Sequence, residues 1–313
     1  MSYRKNIFNL LLLFISFLVG ITIVESFGRY LGLGNVILYH SDPLVGYRLR
    51  ANQSTKRRKN SFVNSDYEGF RFNPDIKISE NSKYIVFVGD SVTYGGSYID
   101  DSELFSSKFC SLSRKNYVCL NNGVNSWGTM NMGRFIANYD LYSEREILKI
   151  ILVILPGDER RNLRSFTDTP FWSSKPRNPK AINEVMRYIT LEYLVPIFQR
   201  DNEFFFEKKE KIFTAQSRQS WKELNSFIDK SNYPVDIVIT PPKYWFLEKE
   251  KNSEIVIYEN LLNDLDSPNI NKKCNLYNLI KSEFNPELYV DGVHLSKKGH
   301  ELWSKKLDIC LKD

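Results

Sequence analysis

Short apolar runs rich in β-branched and aromatic residues recur along the chain after residue 84. They lie at 85–88, 117–120, 147–155 and 235–239. Helical spacing of apolar residues separates the first three runs. Strands without polar alternation, separated by helices, are typical of a parallel sheet that is covered on both faces. The pattern therefore predicts an α/β fold.

The segments around the fourth run are longer. Residues 156–234 exceed the length of a single crossover. We expect additional helices in this insertion, including an amphipathic helix at about 212–228, and the insertion could form a cap over a site. A fifth strand is expected near 275–280, and a helix at 296–311 closes the domain.

The N-terminus carries 18 consecutive uncharged residues, Ile7–Val24, preceded by Arg4 and Lys5. As a helix they would span about 27 Å, close to the hydrocarbon thickness of a bilayer. A cleavable signal peptide is the alternative, but its apolar region is usually shorter, and no A-x-A-like site follows. We favour an uncleaved single-pass anchor, with the N-terminus in the cytoplasm and the remaining chain outside the cytoplasmic membrane.

Composition limits the class of protein. With 313 residues, of which 42% are hydrophobic, the chain can build a substantial core. The net charge of +6 is spread along the chain, so nucleic acid is not indicated as a partner. The sequence says nothing about the oligomeric state.

Four cysteines, Cys110, Cys119, Cys274 and Cys310, suit an oxidising exterior. Three pairings are possible. We favour Cys110 with Cys119 and Cys274 with Cys310, because each pair would join a helix to a nearby strand end; buried free thiols are the alternative. No C-x-x-C or His/Cys cluster occurs, and neither a metal nor an organic cofactor is implied.

Polar residues follow the predicted strands. Gly89–Ser91 ends the first strand, Asn121–Ser126 ends the second, and Asp291–His294 precedes the last helix. Ligands of open parallel sheets bind at the carboxyl ends of the strands. We therefore expect these segments to meet at one site.

Ser91 is placed to act as a nucleophile, because it follows a strand and opens a helix. A serine hydroxyl is weakly nucleophilic unless an imidazole takes its proton, and a carboxylate must orient that imidazole. Asp291 and His294 lie on one loop and can supply both groups. Taken alone, Gly-Asp-Ser could equally be an ordinary turn and helix cap.

These motifs resemble those of the SGNH (GDSL-like) hydrolases over residues 84–313. Gly89–Ser91 matches the family's first block, Gly123 its second, and Asp291–His294 its last. The residues from 64 to 71 are similar to a stretch in a subgroup with an N-terminal membrane helix. The resemblance implies a three-layer, flavodoxin-like sandwich with a mostly parallel sheet.

The same resemblance implies the roles of individual residues. Ser91 would be the nucleophile, His294 the base and Asp291 the group that orients it. The N–H groups of Ser91 and Gly123 would donate to the oxyanion. Asn125 could line a substrate cleft, although capping and packing explain it equally well.

The family's third block is altered here. Gly157 stands where the family has an asparagine that donates to the oxyanion. Losing one such donor typically lowers turnover by about 100-fold to 1,000-fold. The N–H of Gly157 could replace it, Asn162 or Arg160 could approach instead, or catalysis could be weak.

We therefore expect an anchor at 1–27, a lead-in at 28–83 and a hydrolase-like domain at 84–313. The expected activity is serine-dependent hydrolysis or O-acyl transfer on a cell-envelope glycan or lipid. The alternative is a non-catalytic glycan-binding or scaffold protein that keeps the fold.

Overall fold

A computed structural model describes residues 2–79, 81–113, 117–161, 163, 180–190, 215–247 and 252–312. The chain begins with helix α1 (Ser2–Tyr30). Its segment Asn6–Tyr30 has a mean hydropathy of 2.7 in its most apolar window, and none of that window is buried. By length and composition this helix can cross a membrane, although a signal sequence passes the same test.

The lead-in forms two small antiparallel sheets. Their strands are β1 (Tyr39–Asp42) with β2 (Gly46–Leu49), and β3 (Ser54–Lys56) with β4 (Phe62–Asn64). This segment packs onto the domain that follows: Tyr47 and Phe70 are fully buried in the same core cluster as Trp127. Arg71 also forms an antiparallel bridge with Asn121.

The central sheet has five strands, and all neighbouring pairs are parallel. The strands are β5 (Lys83–Gly89), β6 (Tyr117–Gly123), β7 (Ile147–Ile154), β8 (Val235–Ile239) and β9 (Ile270–Asn275). Their spatial order is β6-β5-β7-β8-β9, which is the 2-1-3-4-5 order of flavodoxin-like folds. The predicted α/β class and parallel sheet are confirmed.

Helices cover both faces of the sheet, and a separate hydrophobic core lies on each face. The described α-helices that follow α1 are α2 (Ser91–Tyr94), α3 (Phe105–Leu112), α4 (Thr129–Ala137), α5 (Ala181–Ile189), α6 (Ala215–Ile228), α7 (Tyr244–Leu247), α8 (Asn252–Asp264), α9 (Leu276–Ile280) and α10 (Lys297–Leu311). Helix α6 includes most of the amphipathic helix predicted at 212–228, and it packs beside α4. The expected cap falls largely on residues outside the described ranges.

The predicted fifth strand is present, but its predicted position at 275–280 is wrong. The strand ends at Asn275, and the following residues form α9. The side chain of Asn275 accepts a hydrogen bond from the N–H of Tyr277 at 3.1 Å. This helix cap ends the strand and starts the helix.

Both favoured disulfides are present. Cys110 is bonded to Cys119, and Cys274 is bonded to Cys310. The first bond joins α3 to β6, and the second joins β9 to α10. Each therefore connects a helix to a neighbouring strand, as expected from the sequence.

Candidate active site

The turn that is expected to carry the nucleophile, Gly89–Ser91, lies where β5 ends, and we call it the nucleophile turn. Asp90 caps α2 through a hydrogen bond of 2.8 Å from the Val92 N–H to its Oδ1. Ser91 is the first residue of α2, which we call the nucleophile helix. Glycine is required at position 89, because a Cβ there would lie 2.0 Å from Oγ1 of Thr93. The tight turn holds Ser91 at the carboxyl end of the sheet.

The loop before α10 places a carboxylate and an imidazole beside Ser91. Oδ1 of Asp291 accepts the N–H groups of Val293 and His294, each at 2.8 Å. Its Oδ2 lies 2.7 Å from Nδ1 of His294. Nε2 of His294 lies 2.9 Å from Oγ of Ser91. These contacts suit an Nδ1–H tautomer whose Nε2 accepts the serine proton.

Electrostatic interactions favour the charged forms of Asp291 and His294. Burial opposes the charge of Asp291, but hydrogen bonds from His294 and Val293 outweigh it and lower the pKa of the carboxyl group to about 2. Burial also acts to lower the pKa of His294. Asp291 and Asp90 outweigh that effect, so the pKa of His294 is raised above its usual 6.5.

The assignment of Gly123 as an oxyanion donor needs correction. Its N–H donates to Oδ1 of Asn121 at 2.8 Å, so it is already committed. Gly123 is the last residue of β6, and a Cβ there would lie 2.0 Å from the backbone nitrogen of Tyr94. The residue therefore permits close packing under the nucleophile helix.

Gly157 is also unsuited to the role that its position suggested. Its N–H donates to the hydroxyl of Tyr258 at 2.8 Å and to Oε2 of Glu159 at 3.0 Å. The guanidinium of Arg160 pairs with the same Glu159 at 3.2 Å. Asn162 lies outside the described residues.

The sequence did not predict a role for Ser126, which follows β6 and has a left-handed φ of 65°. Among the described residues, its N–H and that of Ser91 donate no hydrogen bond. A serine in this conformation leaves no signal in the sequence, because left-handed backbone is usually marked by glycine or asparagine. Asn125 has structural contacts: its side chain donates to Tyr39 at 3.1 Å, and its carbonyl accepts from Tyr47 at 2.6 Å.

Arg161 is a second residue near the site for which the sequence did not predict a role. Its Nη1 lies 3.1 Å from Oδ2 of Asp90 and 2.8 Å from Oδ1 of Asp158, and it donates to the Trp127 carbonyl at 2.8 Å. The two carboxylates are 1% and 0% exposed, whereas the Arg161 side chain is 26% exposed. A cation therefore lies between two buried acids beside the nucleophile turn.

His300 is a structural residue in the first turn of α10. It is fully buried; Nδ1 accepts the Phe105 N–H at 3.1 Å, and Nε2 lies 3.3 Å from the Gly95 carbonyl. Burial lowers its pKa to about 3. The ring thus joins α10 to the turn after the nucleophile helix.

Across the described part of the chain, no group of three or more His, Cys, Asp or Glu side chains could hold a metal ion.

Several solved structures resemble this chain. A lipolytic G-D-S-L family member from Veillonella parvula is 14% identical with a TM-score of 0.40, covering 72% of this chain and 96% of that one. A lipase/acylhydrolase from Enterococcus faecalis is 14% identical with a TM-score of 0.41, covering 72% and 93%. A carbohydrate acetylesterase family member from Sinorhizobium meliloti is 15% identical with a TM-score of 0.39, covering 74% and 97%.

The structural neighbours include GDSL-type lipolytic proteins. No protein-family model and no curated protein matches the sequence.

Proposed function

We propose that this chain is a serine-dependent acyl-ester hydrolase or O-acyltransferase. The observation that supports it is the continuous chain of contacts from Asp291 through His294 to Ser91. The three side chains come from two segments far apart in sequence, and their atoms have the spacing that nucleophilic catalysis requires.

In the proposed reaction, Oγ of Ser91 attacks the ester carbonyl carbon while Nε2 of His294 takes its proton. Asp291 stabilises the imidazolium that forms. The bond to the leaving alcohol then breaks, and the alcohol oxygen receives the proton from His294, which leaves an acyl group on Ser91. Water as the second acceptor makes the protein an esterase, and a sugar hydroxyl makes it an O-acyltransferase.

The negative charge on the carbonyl oxygen needs hydrogen-bond donors. We propose the N–H groups of Ser91 and Ser126 for this role, because neither donates elsewhere among the described residues. Both lie on turns that leave neighbouring strands, and Gly89 joins the turns by accepting the Val124 N–H at 3.0 Å. Ser126 takes the place that the sequence reading gave to Gly123.

We further propose that α1 is an uncleaved single-pass anchor and that the catalytic domain lies outside the cytoplasmic membrane. Arg4 and Lys5 before the apolar segment support this orientation. A cell-envelope glycan or lipid carrying acyl esters is the substrate class that such a location would make available.

A second candidate is a non-catalytic glycan-binding or scaffold protein. The N–H groups of Gly123 and Gly157 favour it, because both are engaged within the protein and leave the oxyanion fewer donors.

A fluorophosphonate probe tests the proposal. The probe would react with the full-length chain in detergent; the Ser91–phosphorus bond forms, fluoride leaves and His294 takes the serine proton. We expect mass spectrometry to find the label on Ser91, and Ser91→Ala and His294→Ala to abolish it. Ser111→Ala on the exposed face of α3 is the matched control and should label normally. Folded wild-type protein that stays unlabelled would favour the binding protein instead.

A further inference from the structure

One cation, Arg161, lies between the two buried acids near Ser91. Burial and the charge of Asp90 raise the pKa of Asp158 well above its usual value. Asp158 therefore tends toward its neutral form. Arg161 is the cation in direct contact with both.

The carboxylate of Asp90 lies next to the hydroxyl of Ser91. Oδ2 of Asp90 is 3.4 Å from Oγ of Ser91 and 3.1 Å from Nη1 of Arg161. An uncompensated carboxylate here would repel the negative charge that develops on a substrate carbonyl. It would also favour the imidazolium form of His294 and so remove the base.

Arg161 also contacts the turn that follows β6. Its Nη1 donates to the carbonyl of Trp127, the residue after Ser126. At Gly128 the packing is tight, since a Cβ there would lie 2.7 Å from Cβ of Arg161. The same guanidinium therefore holds both turns from which the proposed oxyanion donors come.

From these contacts we propose that Arg161 is a positioning residue, which compensates the charge of Asp90 beside Ser91 and holds the Ser126 turn against the nucleophile turn. The inference rests on the proposed function for its catalytic consequence. Its electrostatic part concerns the folded protein alone and can be measured without turnover.

Several charged or titratable groups face His294. Asp291 lies on its own loop, and Ser91 and Asp90 lie on the nucleophile turn. Arg161 approaches from the segment after β7 and opposes the protonation of His294. Tyr98, which donates to the Leu295 carbonyl at 3.1 Å, faces Asp291 from beyond the nucleophile helix.

A histidine titration by NMR tests the electrostatic part. The chain has only three histidines, so ¹³C-labelled His Cε1 signals of the full-length protein in detergent can be assigned by substitution. We expect Arg161→Gln to raise the pKa of His294, and Asp90→Asn to lower it. The double variant should return close to wild type, because both the charge and its partner are removed. Asn at position 90 can still cap α2.

The rate of fluorophosphonate labelling from pH 5 to 9 tests the catalytic part. Arg161→Gln should slow labelling at pH 7 by about 10-fold to 100-fold and shift its acid limb to higher pH. Arg161→Lys should recover part of the rate, since the charge is kept. Arg50→Gln is the matched control, because Arg50 is an exposed arginine of the lead-in; it should stay near the wild-type rate.

The two measurements separate the two proposals. A His294 titration that is unchanged in folded Arg161→Gln protein, or a loss of rate that Asp90→Asn does not relieve, would overturn the role of Arg161. If Arg161→Gln raises the pKa of His294 but Ser91 of the wild-type protein never labels, the result would support the charge compensation and reject the proposed function.

Discussion

Arg71 and Asp101 form an ion pair whose side chains are 0% and 1% exposed. Arg71 comes from the lead-in, and its guanidinium also donates to the carbonyls of Tyr94, Gly96 and Ile99. These carbonyls belong to the end of the nucleophile helix and the loop that follows. The lead-in is therefore part of the support of Ser91.

Removing Arg71 should destabilise the protein strongly. Arg71→Met leaves Asp101 buried without its cation, which typically costs about 3 to 5 kcal/mol. Urea unfolding of the full-length protein in detergent measures the loss. Lys305→Met is the control, because its ion pair with Glu301 is exposed and should contribute less than about 1 kcal/mol. Equal losses in the two variants would contradict the structural role of Arg71.

The pH dependence of labelling should follow His294. Only the neutral imidazole can take the serine proton, so the rate should rise with pH through a pKa that lies above 6.5. Asp291→Asn removes the main group that raises this pKa. The acid limb should then move to lower pH while the maximal rate falls by about 10,000-fold. An acid limb that does not move in this variant would exclude Asp291 as the partner of His294.

Gly123→Ala tests the corrected role of that residue. A methyl group would lie 2.0 Å from the Tyr94 nitrogen, so the nucleophile helix must move. We expect a loss of about 3 kcal/mol in the free energy of unfolding, together with slower labelling of Ser91. Gly292→Ala is the stability control, because a Cβ there meets nothing within 4 Å. A fully stable Gly123→Ala protein would refute the packing argument.

The two disulfides should differ in their contribution to stability. Their sequence separations are 36 for Cys274–Cys310 and 9 for Cys110–Cys119. By chain entropy, these loops correspond to about 4 and about 2.5 kcal/mol. Paired Cys→Ser variants, compared by urea unfolding, should show the larger loss for the longer loop. The reverse order would indicate that strain or residual structure in the unfolded chain dominates.

The sequence was sufficient for those features that depend on local pattern. The apolar runs placed four of the five strands, because a strand buried on both faces must be apolar along its length. The short spacing of Asp291 and His294 on one loop identified a carboxylate and imidazole pair, and the structure brings both to Ser91. The fifth strand was misplaced because a single side chain, that of Asn275, decides where strand ends and helix begins.

The hydrogen-bond partners of the residues around the site depended on tertiary structure. The N–H of Gly157 is taken by Tyr258, which lies 101 residues away, and Arg161 reaches Asp90 across 71 residues. Nothing in a local pattern encodes such contacts, because they exist only once separate strands and helices have packed. A sequence can thus predict candidate reacting residues, whereas the packing of distant segments determines which groups lie close enough to stabilise charge around them.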